Sequence, residues 1–172
     1  MKTDNVLATR PHKVIYRDGD KVWKVFDANY PKTDVLNEAL NQARVEETGL
    51  PIPRVHGVTV NEEGKWAIIS DYIEGETLAE KMEKDPENVE KYMKEFVEIQ
   101  LEIHDKTAPL LNKMKDKMSV RINSLKAVNA TTRYELSTRL ESMPKHKKVL
   151  HGDFNPTNVV IDKEGKYYIL DW

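Results

Sequence analysis

Residues 151–172 read HGDFNPTNVVIDKEGKYYILDW, and this stretch decides the reading of the whole chain. The apolar runs Asn158 to Asp162 and Tyr167 to Asp171 are strand-like, and Lys163-Glu164-Gly165-Lys166 is a turn between them. Folding back at that turn brings Asp171 beside Asn158. Asp153 lies on the loop just ahead. Three oxygen-bearing side chains at one hairpin mouth suit a hard cation such as Mg2+. Asp and Asn in a proline-containing loop often only make side-chain turns, but a carboxylate ending an apolar strand is costly without a partner or a metal. Asp171 therefore tips the reading towards chemistry.

Strand signals also dominate the first third. Lys13 to Arg17 and Lys21 to Phe26 flank Asp18-Gly19-Asp20, a hairpin signal. Asp34 to Thr48 takes helical spacing, with Leu36, Leu40 and Ala43 as its apolar stripe, and Gly49, Pro51 and Pro53 end it. Arg54 to Val60 and Trp66 to Tyr72 are two further strands. Beyond Gly75 the pattern is helical. One helix is expected from the Asp85-Pro86 cap with the stripe Val89, Met93, Phe96 and Val97, and a second carries Leu111, Met114, Met118, Ile122 and Leu125. A third is expected from Thr131 or Thr132 through Leu136, Leu140 and Met143. These stripes are read as core. A strand is expected at Lys148 to His151. The fold class is α+β: an antiparallel sheet lobe with one helix over 1–73, and a mainly helical, incomplete lobe carrying the Asp153 loop and the candidate metal-binding hairpin over 74–172.

Lys24 lies on the same strand face as Val22 and Phe26. An ammonium flanked by apolar groups needs a counter-charge, or must snorkel to water. Glu38 on the following helix is the natural partner, with Glu46 and Glu47, nearer the helix end, as alternatives. An ion pair at ~4 Å contributes roughly 4 kcal/mol before desolvation at an effective dielectric near 20.

Composition narrows the field. Lys and Arg number 27 against 29 Asp and Glu, a net charge of −2, which argues against a primary role on nucleic acid. There is no cysteine, which excludes disulfides, thiolate catalysis and cysteine-bound zinc. The five histidines lack zinc-ligand spacing, and His151 is expected to brace its loop by hydrogen bonds. No signal-like or membrane-spanning run occurs, so a cytoplasmic protein off the membrane is the default expectation. No P-loop, GxGxxG or GxSxG is present.

With VWKVF, NEALNQARVEETGLPIPRV, IISDYIEGETL, HGDFNPTN and YYILDW in this order, the chain resembles the aminoglycoside phosphotransferase and choline kinase-like family, relatives of the protein kinases. Asp153 and Asn158 keep the Asp-x4-Asn spacing of a kinase catalytic loop, with Gly152 where the protein kinases have arginine. The resemblance implies transfer of the γ-phosphate of ATP or GTP, with Mg2+, to a hydroxyl of a small molecule. Lys24, held by Glu38, would contact the nucleotide phosphates, and the backbone of Asp71 to Ile73 would meet the adenine edge. Asp153 would be the catalytic base, with Asn158 and Asp171 the magnesium ligands. The sequence departs from the family in the turn over the phosphates, Thr9-Arg10-Pro11-His12, where small residues are usual; Arg10 would compensate by charge. Members also continue past the DW motif. The chain is therefore read as lacking part of the acceptor site and as a poor catalyst alone, with a non-catalytic nucleotide-binding module as the alternative. Acceptor identity and oligomeric state stay open.

Overall fold

The computed structural model describes residues 5–172; residues 1–4, counted in the first lobe above, lie outside them. Strands β1 (Val6–Arg10), β2 (Lys13–Asp18), β3 (Lys21–Phe26), β4 (Val55–Val60) and β5 (Trp66–Asp71) form an antiparallel sheet in the order β1-β2-β3-β5-β4. Helix α1 (Lys32–Glu46) enters between β3 and β4. Strand β1 was not expected from the sequence. Its run Val-Leu-Ala-Thr-Arg is largely exposed, so the two-residue alternation of a half-buried strand is missing.

Helix α1 packs on the sheet through Val35, Ala39, Gln42 and Val45. This corrects the expected stripe, because Leu36 and Leu40 are exposed. The true contact face uses smaller side chains and one buried amide, satisfied where Gln42 Nε2 donates to the Pro53 carbonyl at 2.8 Å. Phe26, Val35, Ala39 and Ile68 form the small core between sheet and helix.

The remaining elements are β6 (Gly75–Thr77), α2 (Leu78–Lys84), α3 (Val89–Asp105), α4 (Met114–Ser124), α5 (Ala130–Ser142), β7 (Val159–Asp162) and β8 (Tyr167–Ile169). Sheet β6-β7-β8 is antiparallel. Helix α2 went unpredicted although its start signal is present: Thr77 and Glu80 make a capping box. Asp85 does not cap a helix through its side chain, but accepts hydrogen bonds from Asn88 and Tyr92 ahead of α3. Lys148 to His151 is extended but unpaired, not a strand, and buried Val149 donates its N–H to Lys106 O.

The larger core joins Val45, Leu50 and Ile52 to Leu78, Ile99, Ile103, Val149, Val159 and Ile169. Only part of the expected α3 stripe enters it. Phe96 packs there, stacked on Phe154 at 4.3 Å, while Val89, Met93 and Val97 are exposed, as are Met118 and Met143 further on. A bond from Ile169 N to Pro51 O at 2.9 Å ties β8 to the loop after α1.

Gly75 is fixed by close approach. A Cβ there would press on the Ile161 carbonyl and lie 2.8 Å from Val160 Cγ1. Gly75→Ala should therefore destabilise the protein by roughly 1–3 kcal/mol in urea denaturation, through displacement of β6 from β7.

Candidate active site

Lys24 sits mid-strand in β3, opposite Ile15 of β2 and Ile68 of β5. Its Nζ donates to Glu38 Oε1 at 2.6 Å and to Asp171 Oδ1 at 2.8 Å. One ammonium thus joins the sheet, α1 and the end of the β7–β8 hairpin. Glu46, by contrast, accepts from Val55 N. The Lys24 side chain is 13% exposed. Burial opposes its charge, but the Glu38 and Asp171 carboxylates outweigh that and hold its pKa above the ordinary value. Asp171 mirrors this: burial favours the neutral acid, and the Lys24 ammonium overrides it to hold the pKa below the ordinary value.

A second cation belongs to the cluster. Lys13 Nζ lies 3.5 Å from Glu38 Oε1 and 3.8 Å from Asp171 Oδ1. The sequence reading missed it. The signal was strand alternation: Lys13 pairs with Phe26 and Ile15 with Lys24, so both lysines share one sheet face.

The segment from His151 to Asn158 is built on local bonds. Asn155 Oδ1 accepts from Thr157 N at 3.0 Å and starts the 3₁₀ turn Pro156–Asn158, which delivers the chain into β7. The Asn158 carbonyl accepts from Leu170 N at 2.8 Å, which sets Asn158 and Asp171 at neighbouring positions of the hairpin. Asn158 Nδ2 donates to the Asp153 carbonyl at 3.0 Å, leaving its Oδ1 as an available acceptor. His151 Nε2 donates to Leu170 O at 2.7 Å, and its Nδ1 accepts from Asp153 N at 3.3 Å. That pattern assigns the Nε2–H tautomer. Burial lowers the His151 pKa despite the Leu170 carbonyl, so the ring is neutral near pH 7. His151 therefore braces the loop and the hairpin together, as its position in the sequence suggested.

Asp171 has φ 62°, a left-handed conformation that aspartate tolerates better than most residues. The backbone turn aims its carboxylate at Lys24. Strain held at such a position marks functional sites more often than packing sites.

Asp71 stands apart. Its carboxylate accepts from Lys21 Nζ at 2.8 Å and from the Arg54 N–H at 3.1 Å, and it lies 2.6 Å from His56 Nε2. Lys21 pairs with Asp71 whereas Lys24 pairs with Ile68, so the two carboxylate clusters are about 10 Å apart along the sheet. In the linker, the Asp71 N–H bonds to Arg54 O and the Tyr72 N–H to Asp20 O. Among the described residues the Ile73 N–H makes no such bond.

The donors fit Mg2+. Asp171 Oδ2 and Asn158 Oδ1 are hard oxygen donors on adjoining hairpin positions, and Mg2+ is commonly held by one or two such groups together with phosphate oxygens and water. Among the described residues no group of three or more His, Asp or Glu forms an all-protein metal cage.

A family model, the phosphotransferase enzyme family, matches residues 12–172. The chain belongs to this family. A search of curated protein sequences found no match. Among solved structures, a thermostable mutant of aminoglycoside phosphotransferase APH(4)-Ia in its apo form is 18% identical with a TM-score of 0.65, over 97% of this chain and 65% of that one. A choline/ethanolamine kinase family protein from Mesorhizobium loti is 19% identical with a TM-score of 0.56, over 98% of this chain and 57% of that one. These likenesses are of fold, and place the chain in the protein kinase-like class. The chain spans about two thirds or less of the length of these structures. An APH(4)-Ia variant was solved with AMP-PNP and hygromycin B.

Burial pushes the Asp71 carboxyl up, but its bonds from Lys21, His56 and the Arg54 N–H more than reverse this, and the pKa falls from 3.8 to about 2. The group is therefore stabilising above the ordinary carboxylate range, and that stability is lost as pH falls from about 4 through 2. Asp71→Asn should lower stability at pH 7 by on the order of 1 kcal/mol, the pair being partly exposed. The gap between variant and wild type should close near pH 2 in thermal melts.

Proposed function

We propose that this phosphotransferase takes its phosphoryl group from ATP, with Mg2+, and passes it to a hydroxyl of a small molecule. The observation that supports the reading is Lys24 joined at once to Glu38 and Asp171, an arrangement suited to a phosphate-binding cation beside a metal-binding carboxylate. Lys24, oriented by Glu38, holds the phosphates. Asn158 and Asp171 hold the metal, which when bound supplies charge neutralisation on the transferred group. The free N–H of Ile73 and the backbone of the linker from Asp71 meet the base, while the Asp71 side chain fixes the linker.

Asp153 is exposed at the head of the loop and makes no side-chain hydrogen bond among the described residues, so its carboxylate is free to take a proton. The acceptor hydroxyl oxygen forms the new bond to the γ-phosphorus, its proton passes to Asp153, and the bond to the β–γ bridging oxygen breaks to release ADP. A positioned base of this kind contributes roughly 10²–10⁴-fold.

A nucleotide-binding module without transfer is the second reading. It is favoured by the turn Arg10 to Lys13, where Pro11 offers no N–H to a phosphate. GTP is the alternative donor, and aminoglycosides, choline-like amines, sugars and amino-sugars are the acceptor classes to try; one structural neighbour, an aminoglycoside phosphotransferase variant, was solved with hygromycin B.

Mg-ATP at about 100 times its Kd should raise the thermal midpoint by about 5–10 °C. Asp171→Ala should abolish the magnesium dependence of that shift. Asp153→Ala should keep the shift but abolish phosphate transfer to whichever acceptor the wild type uses. Absence of a shift with either ATP or GTP would end the proposal. A shift with no transfer to any acceptor class would favour the module.

A further inference from the structure

We infer that Lys13 is a second phosphate-binding cation, which replaces with a side-chain charge the backbone donors that the turn over the phosphates lacks. This rests on the nucleotide-binding reading above and names a residue that reading did not use.

The turn itself is the first observation. β1 and β2 are joined through two residues, with Arg10 paired to Lys13. Pro11 fixes a negative φ at the first central position, and His12 has φ 69° at the second. That is a type II turn. Pro11 rules out the primed turns usual in two-residue hairpins, and it has no N–H. The His12 carbonyl is taken by Asp27 N at 2.9 Å, and its ring lies 3.5 Å from the Asp27 carboxylate. A loop so short and so committed offers few N–H groups to an anion, whereas phosphate cradles elsewhere depend on runs of them.

The second observation is how Lys13 is held. Lys24 makes short bonds to Glu38 Oε1 and Asp171 Oδ1, at 2.6 and 2.8 Å. Lys13 approaches the same two oxygens only at 3.5 and 3.8 Å. An ammonium carries three donors, and this one makes a single bond at the outer limit of length. Its side chain is nonetheless only 21% exposed. Beyond a contact with the Phe26 ring at 6.0 Å, Lys13 is a second, loosely bonded lysine at two carboxylates already served by Lys24. Phosphate oxygens would take up its idle donors. Redirecting Lys13 would cost less than redirecting Lys24, which stays with Glu38. Arg10, the other cation of the turn, is exposed and is not the better candidate.

Isothermal titration calorimetry of the wild type and Lys13→Met, with Mg-ATP and with adenosine, tests the assignment, with unliganded melting points recorded alongside. The variant should bind Mg-ATP about tenfold more weakly, the size of one lost charge-assisted bond, while adenosine affinity stays the same. Lys13→Gln serves as a second variant should Lys13→Met fail to fold. A purely structural lysine would lower the melting point and leave the ratio of the two affinities unchanged. That result, with wild-type binding intact, overturns the Lys13 assignment alone. A wild type that binds neither ligand overturns the nucleotide-binding reading and this inference together.

Discussion

A lysine buried in a strand must find negative charge or leave the interior, and Lys24 finds two carboxylates from opposite parts of the chain. Burial of the ammonium opposes its charge, and the two carboxylates together hold it protonated, with its pKa above the ordinary value. The result is positional. Helix α1 is held against the sheet by its small apolar face, and Glu38 extends that contact to the ammonium. The hairpin end is held by the larger core, and Asp171 brings it to the same atom. Removing Lys24 would leave the two carboxylates with only the looser contacts of Lys13, at 3.5 and 3.8 Å.

The neutral His151 does comparable work on the other side of the site. Its two nitrogens join the Asp153 backbone to the Leu170 carbonyl, and Leu170 N returns to the Asn158 carbonyl. Loop and hairpin are thereby locked in register by three short-range bonds. The Asp153 side chain makes no hydrogen bond among the described residues, while its backbone is pinned. The left-handed backbone at Asp171 is the cost of aiming one carboxylate out of an otherwise regular hairpin.

What could be read without coordinates follows from the reach of each signal. The hairpin β7–β8 and the strands β2 to β5 were legible because turn residues punctuate short apolar runs. The partnership of Lys24 with Glu38 followed from burial logic, since an apolar-flanked ammonium has few options. Its bond to Asp171 joins distant segments with no periodicity to announce it, and only the resemblance, which puts both residues at one nucleotide site, set the two facing each other. Leu36 and Leu40 misled because size was read as burial, when the close packing of α1 on the sheet selects Ala39 and Val35. The exposed side of α3, with Val89, Met93 and Val97, shows that helical spacing reports a stripe and not what covers it. Lys13 was overlooked because its role depends on the register between β2 and β3, which only the fold supplies.

The junction at Lys24 is tested most directly by following the side-chain carboxyl of Asp171 by carbon-13 NMR as a function of pH, in the wild type and in Lys24→Met. Asp171 should titrate below the ordinary 3.8 in the wild type and move upward when the ammonium is removed. An Asp171 carboxyl that titrates at its ordinary value and ignores the Lys24 substitution would contradict the account.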